Sequence, residues 1–108
     1  MELQEVQRTV DTWISAKGVR YFNELTNTAL LMEEVGELAR IMARRFGEQS
    51  FKEKEAELDL GDEMADILFV LVCLANQTQV NLEEAFLRNM QKKNDRDSRR
   101  HVENPKLK

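Results

Sequence analysis

Apolar residues recur at helical spacing in four stretches of this chain. In the first, from Glu2 to about Lys17, Leu3, Val6, Val10, Trp13 and Ile14 lie three or four apart, which predicts an amphipathic helix. Gly18 supplies a stop signal. The second helix is expected from Asn23 to Phe46. Its apolar arc holds Leu25, Ala29, Leu31, Met32, Val35, Leu38, Ile41, Met42 and Phe46, and Gly47 stands at the C-terminal cap position. Ser50 and Glu53 read as a capping box that opens a third helix reaching Thr78. Asn81 and Glu84 form a second box, opening a fourth helix from Leu82 to about Arg99 with Ala85, Phe86 and Met90 facing inward. The polar tail from about His101 is expected to fray. These elements predict an all-α, four-helix bundle-like fold, one domain over residues 1–108.

One part of the pattern points beyond a single chain. Ile67 to Ala75 is apolar on all sides. A helix apolar all round is covered all round, and four helices of this size cannot do that alone. A homodimer or homotetramer is expected, with this helix near the subunit interface.

Composition narrows the class. The net charge of −4 gives no reason to expect nucleic-acid binding. The run Met64 to Ala75 is too short to span a bilayer and carries Asp66, so no membrane partner is expected. Cys73 is the single cysteine, which rules out an internal disulfide and fits a reducing cytoplasm. It lies in the most apolar run and reads as a small core residue.

The candidate chemistry lies in two sets of acids. Glu34 and Glu37 share a helix face, with Glu33 beside them; Glu63 and Asp66 repeat the spacing on the next helix. At about 100° per residue, Glu34 and Glu37 line up with Leu30 and Ile41, and Glu63 and Asp66 with Val70, Cys73 and Leu74. Both sets therefore point to the bundle interior or its edge. Carboxylates gathered there repel one another and invite a hard cation; an all-oxygen ligand set favours Mg²⁺, with Mn²⁺ as the alternative. The competing reading pairs these acids with Arg40, Arg44 or Arg45. A di-iron site would want Glu-x-x-His on the helices, and the only histidine is His101. Gly36 costs roughly 1 kcal/mol in mid-helix; close packing, room for a ligand, or plain tolerance would each explain it.

The fourth helix ends in a basic face. Lys92 and Arg96 are four apart. A cation beside a Lys/Arg face suits a polyphosphate, although a basic last turn also suits the helix dipole. Trp13, Tyr21 and Phe22 could stack on a base, but core packing is the favoured reading.

The combined wording has a family likeness. Glu33-Glu34-x-x-Glu37, then residues 38 to 62, then Glu63-x-x-Asp66 resembles the signature of the all-α nucleoside triphosphate pyrophosphohydrolases, in their single-domain MazG-like form. Leu31 to Ala39, Asp62 to Phe69 and Asn81 to Phe86 add to the similarity. The resemblance implies a MazG fold and hydrolysis of (deoxy)nucleoside triphosphates to the monophosphate and pyrophosphate, for nucleotide-pool house-cleaning. It implies Mg²⁺ held by Glu34, Glu37, Glu63 and Asp66, with Glu33 helping at the water or the metal. It implies phosphate contacts from Lys92 and Arg96, with Lys93 and Asn94 as near alternatives in register. One departure is visible: where relatives can carry a lysine one turn before Glu-x-x-Asp, this chain has Asp59. A phosphoribosyl-ATP pyrophosphohydrolase-like enzyme and a non-catalytic metal-binding helical dimer are the two alternatives.

Overall fold

The computed structural model describes residues 1–18, 20–50 and 58–108. They form α1 (Leu3–Trp13), α2 (Glu24–Phe46), α3 (Leu60–Gln77), α4 (Leu82–Arg96) and the short α5 (Ser98–Glu103). A single π-turn, Ile14–Gly18, extends α1, and a 3₁₀ turn, Pro105–Leu107, follows α5. The expected all-α architecture is present, with no strand among the described residues.

Side-chain caps fix where three helices begin. Asn23 accepts from the Thr26 amide at 2.8 Å, Asp59 from the Gly61 amide at 2.8 Å and Asn81 from the Glu84 amide at 3.1 Å. Each satisfies one orphan donor of a first turn. The cap at Asp59 corrects the expected start of the third helix. Leu58 and Asp59 are not helical, and the helix opens at Leu60. The Glu53 half of the proposed capping box lies outside the described residues. Gly47 caps α2 without a left-handed turn, at φ −100°. It is needed because a Cβ there would sit 2.3 Å from the Ala43 carbonyl oxygen.

α3 is the shared element, packed on α2 along one side and on α1 along the other. Val10, Ile14, Val72 and Cys73 form the core, with Val6, Tyr21 and Leu82 against it. Cys73 is thus the buried core residue its position suggests; burial pushes its thiol pKa up. Ile41 is buried on α2. A polar seam closes the far end of α3. The Asn76 amide donates to the Gln7 carbonyl and to the Tyr21 hydroxyl, both at 3.0 Å, and its oxygen accepts from Gln7 Nε2 at 3.0 Å. Tyr21 in turn donates to Asp11 at 2.6 Å. Burial, with that bond to Asp11, holds its pKa up at about 12. Buried Asn27 donates to Gln77 Oε1 at 2.8 Å and to the Phe22 carbonyl at 3.3 Å.

α4 departs from expectation. The turn after α3 places Gln79 at φ 54°, and α4 leaves at 103° to α3, leaning on α1. Phe86 and Met90 therefore stay exposed instead of facing inward, Phe86 at 56%. α4 also ends at Arg96, with Asp97 breaking it from α5. The tail is helical to Glu103 where fraying was expected. Much of the α2 arc is open as well, Leu25 at 83%. On α3, Leu68, Phe69 and Leu71 remain accessible. The radius of gyration is 17.6 Å, against about 13 Å for a compact chain of this length.

Candidate metal centre

The α2–α3 contact brings the two acidic pairs together. Carboxylate oxygens of Glu34, Glu37 and Glu63 all lie within 4.8 Å of one another. Asp66, one turn on from Glu63 and exposed, stands outside that trio, yet its charge is felt by both Glu34 and Glu63. Glu33 is exposed beside Glu34 and adds to its field. Asp62 does the same to Glu63; its place next to Glu63 in the sequence was the only signal for it.

Burial and repulsion act together here. The pKa values of Glu34 and Glu63 are raised, first by desolvation and then by Glu37 and Asp66. The Oε2 atoms of Glu34 and Glu63 are both shielded from solvent and have no hydrogen-bond partner among the described residues. A buried acceptor left unmatched costs free energy, and two such acceptors on carboxylates that approach within 4.8 Å of each other are what a cation would satisfy. The donors are all carboxylate oxygen, the chemistry of a hard divalent ion. Gly36 fits this picture only as open space, because a Cβ there would meet nothing within 4 Å. Close packing is not the reason for that glycine.

The basic set stands elsewhere. Lys93 is held by the Asn89 side chain, Arg96 pairs with Asp97 at 3.3 Å, and Arg100 reaches Asp97 at 3.6 Å. Met90, Lys93, Asn94, Asp97 and His101 line a hollow of about 280 Å³ at the α4–α5 break. From Asp66 the chain runs eleven residues down α3, turns, and runs ten more along α4 to Lys92. With the 103° bend, a rise of about 1.5 Å per residue puts Lys92 roughly 20 Å from the acids. One chain therefore does not bring Lys92, Lys93, Asn94 and Arg96 to its own carboxylates. A hollow of about 460 Å³, lined by Gln7, Arg8, Asp11, Asn76 and Gln79 among others, is also remote, at the opposite end of α3 from Glu63.

The aromatic residues divide. Tyr21 is partly buried with its hydroxyl engaged, but Trp13 and Phe22 are exposed, which overturns core packing as their role.

A helix pair that brings acids from both members together has the donor chemistry of a hard divalent cation site. The MazG nucleotide pyrophosphohydrolase domain matches residues 22–101, and the chain belongs to that family. It is 44% identical over 98 residues to YpjD of Bacillus subtilis (strain 168), an uncharacterised protein, covering 91% of this chain and 88% of that one. The crystal structure of Bacillus subtilis YpjD is similar at a TM-score of 0.79, with 42% identity over 90% of this chain and 97% of the other. A Bacillus-conserved MazG protein, a nucleotide pyrophosphohydrolase, is similar at a TM-score of 0.74 with 36% identity, covering 91% and 95%.

Proposed function

We propose that this protein hydrolyses nucleoside or deoxynucleoside triphosphates to the monophosphate and pyrophosphate, with Mg²⁺ or Mn²⁺, in the cytoplasm. The observation that carries this reading is the pair of shielded, unpartnered carboxylate oxygens on Glu34 and Glu63, set in a MazG domain. Glu34, Glu37 and Glu63 would hold the ion, with Asp66 at its edge. Such an ion, when bound, supplies polarisation of a phosphoryl oxygen and of water. Glu33, exposed beside Glu34, would accept the proton of the attacking water. Water adds to the α-phosphorus, the bond from that phosphorus to the bridging oxygen breaks, and pyrophosphate leaves with the electron pair.

The leaving charge needs cations that one chain does not bring to its acids. A second copy supplies them in this reading, with Lys92 and Arg96 of one subunit answering the carboxylates of another. Surface area supports association. The chain exposes 8538 Å², where a compact monomer of this mass exposes about 6200 Å². That excess is larger than the ~800 Å² per partner of a standard interface.

The test is pyrophosphate release from a panel of ribo- and deoxyribonucleoside triphosphates, with Mg²⁺ and with chelator, beside Asp66→Asn. Metal-dependent release that the variant loses is the expected result; a folded protein inert toward the whole panel refutes it. Mixing Glu37→Gln with Arg96→Ala subunits, each inactive alone, should restore part of the activity if the site is shared.

A further inference from the structure

The acids account for the phosphate end of a nucleotide and leave its base without a surface. α1 and α3 run antiparallel. Gln7 meets Asn76 at 3.0 Å, Val10 packs in the cluster with Val72 and Cys73, and Trp13 meets Phe69. Each step forward along α1 is a matching step back along α3, toward Asp66. Trp13 and Phe69 pack edge to face, ring centroids 5.7 Å apart and planes at 87°. Both rings stay open, Trp13 at 51% and Phe69 at 37%. Phe69 is three residues from Asp66, so adjacent on the helix at roughly 5–6 Å between Cβ atoms. The indole thus lies about two such spacings from Asp66, the acid at the exposed edge of the cluster, the reach of a sugar and one phosphate. Phe22 and Phe86, also open, are worse placed. Phe22 sits by Asn27 and Gln77, at the far end of α3, and Phe86 is on the departing α4.

We propose that Trp13, braced by Phe69, is the platform on which the substrate's nucleobase stacks. This rests on the pyrophosphohydrolase reading and adds to it the residue that recognises the base. A π-face is offered to every base. Discrimination among bases is therefore shallow, and purines, with more ring to overlap, are favoured over pyrimidines.

Trp13 is the single tryptophan, so indole fluorescence of the full chain reports on it alone. The probes are a nucleoside triphosphate with a non-hydrolysable α,β linkage and inorganic tripolyphosphate, each with Mg²⁺. The nucleotide should quench saturably and tripolyphosphate should not. Trp13→Leu should raise KM for nucleoside triphosphates by on the order of tenfold while kcat stays within about twofold, and Trp13→Phe should restore most of the loss. Unchanged fluorescence in an enzyme that turns over nucleotides overturns the proposal. So does a Trp13→Leu variant that keeps its KM and falls apart into monomers, which would assign the indole to subunit contact. A wild-type protein that releases no pyrophosphate from any nucleotide instead removes the reaction itself, and is told apart by that silence.

Discussion

Replacing Glu63 by Gln should make the metal-free protein more stable and the metal-loaded protein less able to gain stability. The carboxylates of Glu34 and Glu63 have oxygens within 4.8 Å of each other. At an effective dielectric near 20, two unit charges at that separation repel by about 3 kcal/mol. Salt screening and partial protonation reduce this, because both groups are pushed toward the neutral form. A net gain of about 1–2 kcal/mol is the expectation at neutral pH. For a domain of this size that is on the order of 5–10 °C in Tm. The assay is thermal unfolding followed by helix circular dichroism, in chelator and then in rising Mg²⁺. The wild type should climb with metal, by about 2.7 kcal/mol at a hundred times Kd, and Glu63→Gln should climb far less. A variant that melts at or below the wild type in chelator, or gains as much from Mg²⁺, would refute the reasoning.

Other outcomes follow from the same geometry. Because Glu34 and Glu63 have folded-state pKa values above the ordinary 4.5, the folded form binds their protons more tightly than the unfolded form does. Their contribution is therefore most favourable below the ordinary glutamate range and is lost as pH rises through the raised values. The Tm difference between metal-free wild type and Glu63→Gln should accordingly widen in the variant's favour over that window. Val72 is fully buried; Val72→Ala should cost about 2 kcal/mol in urea unfolding. Asn76→Leu removes the bonds that tie Asn76 to Gln7 and Tyr21 and should cost about 1–3 kcal/mol in the same assay. The Arg45 guanidinium donates to the Leu58 carbonyl at 2.8 Å, clasping the end of α2 to the approach of α3. Arg45→Ala should lower stability by about 1 kcal/mol or more and weaken metal binding, read by calorimetric titration.

The acids were legible because charge on an apolar arc is anomalous. Glu34 and Glu37 align with Ile41, and Ile41 is buried. Periodicity also located α1, α2 and the C-terminal end of α3. It failed where two signals competed. The helix expected to run unbroken from the Ser50 cap to Thr78 is interrupted at Leu58 and Asp59, because Asp59 caps α3 through the Gly61 amide, and a short Asx contact carries no long-range signature; Glu53 lies outside the described residues. It failed again at α4. The stripe of Phe86 and Met90 says that something covers that face, not which body does, and the direction of α4 is set by the backbone of one turn. Trp13 was misjudged for a similar reason: its spacing matches the core residues Val10 and Ile14, while its angular position leaves it at the edge of that stripe.

Gln79 carries the only positive φ among the described non-glycine residues, and it sits where the chain swings away from α3. That joint makes the last long helix an outstretched arm. If, as proposed, the cations of one subunit ride on such an arm to a neighbour's acids, specific activity depends on protein concentration. On that proposal, a protein diluted below its dimer dissociation constant would keep its carboxylates and its lysines, and lose turnover because the two no longer meet.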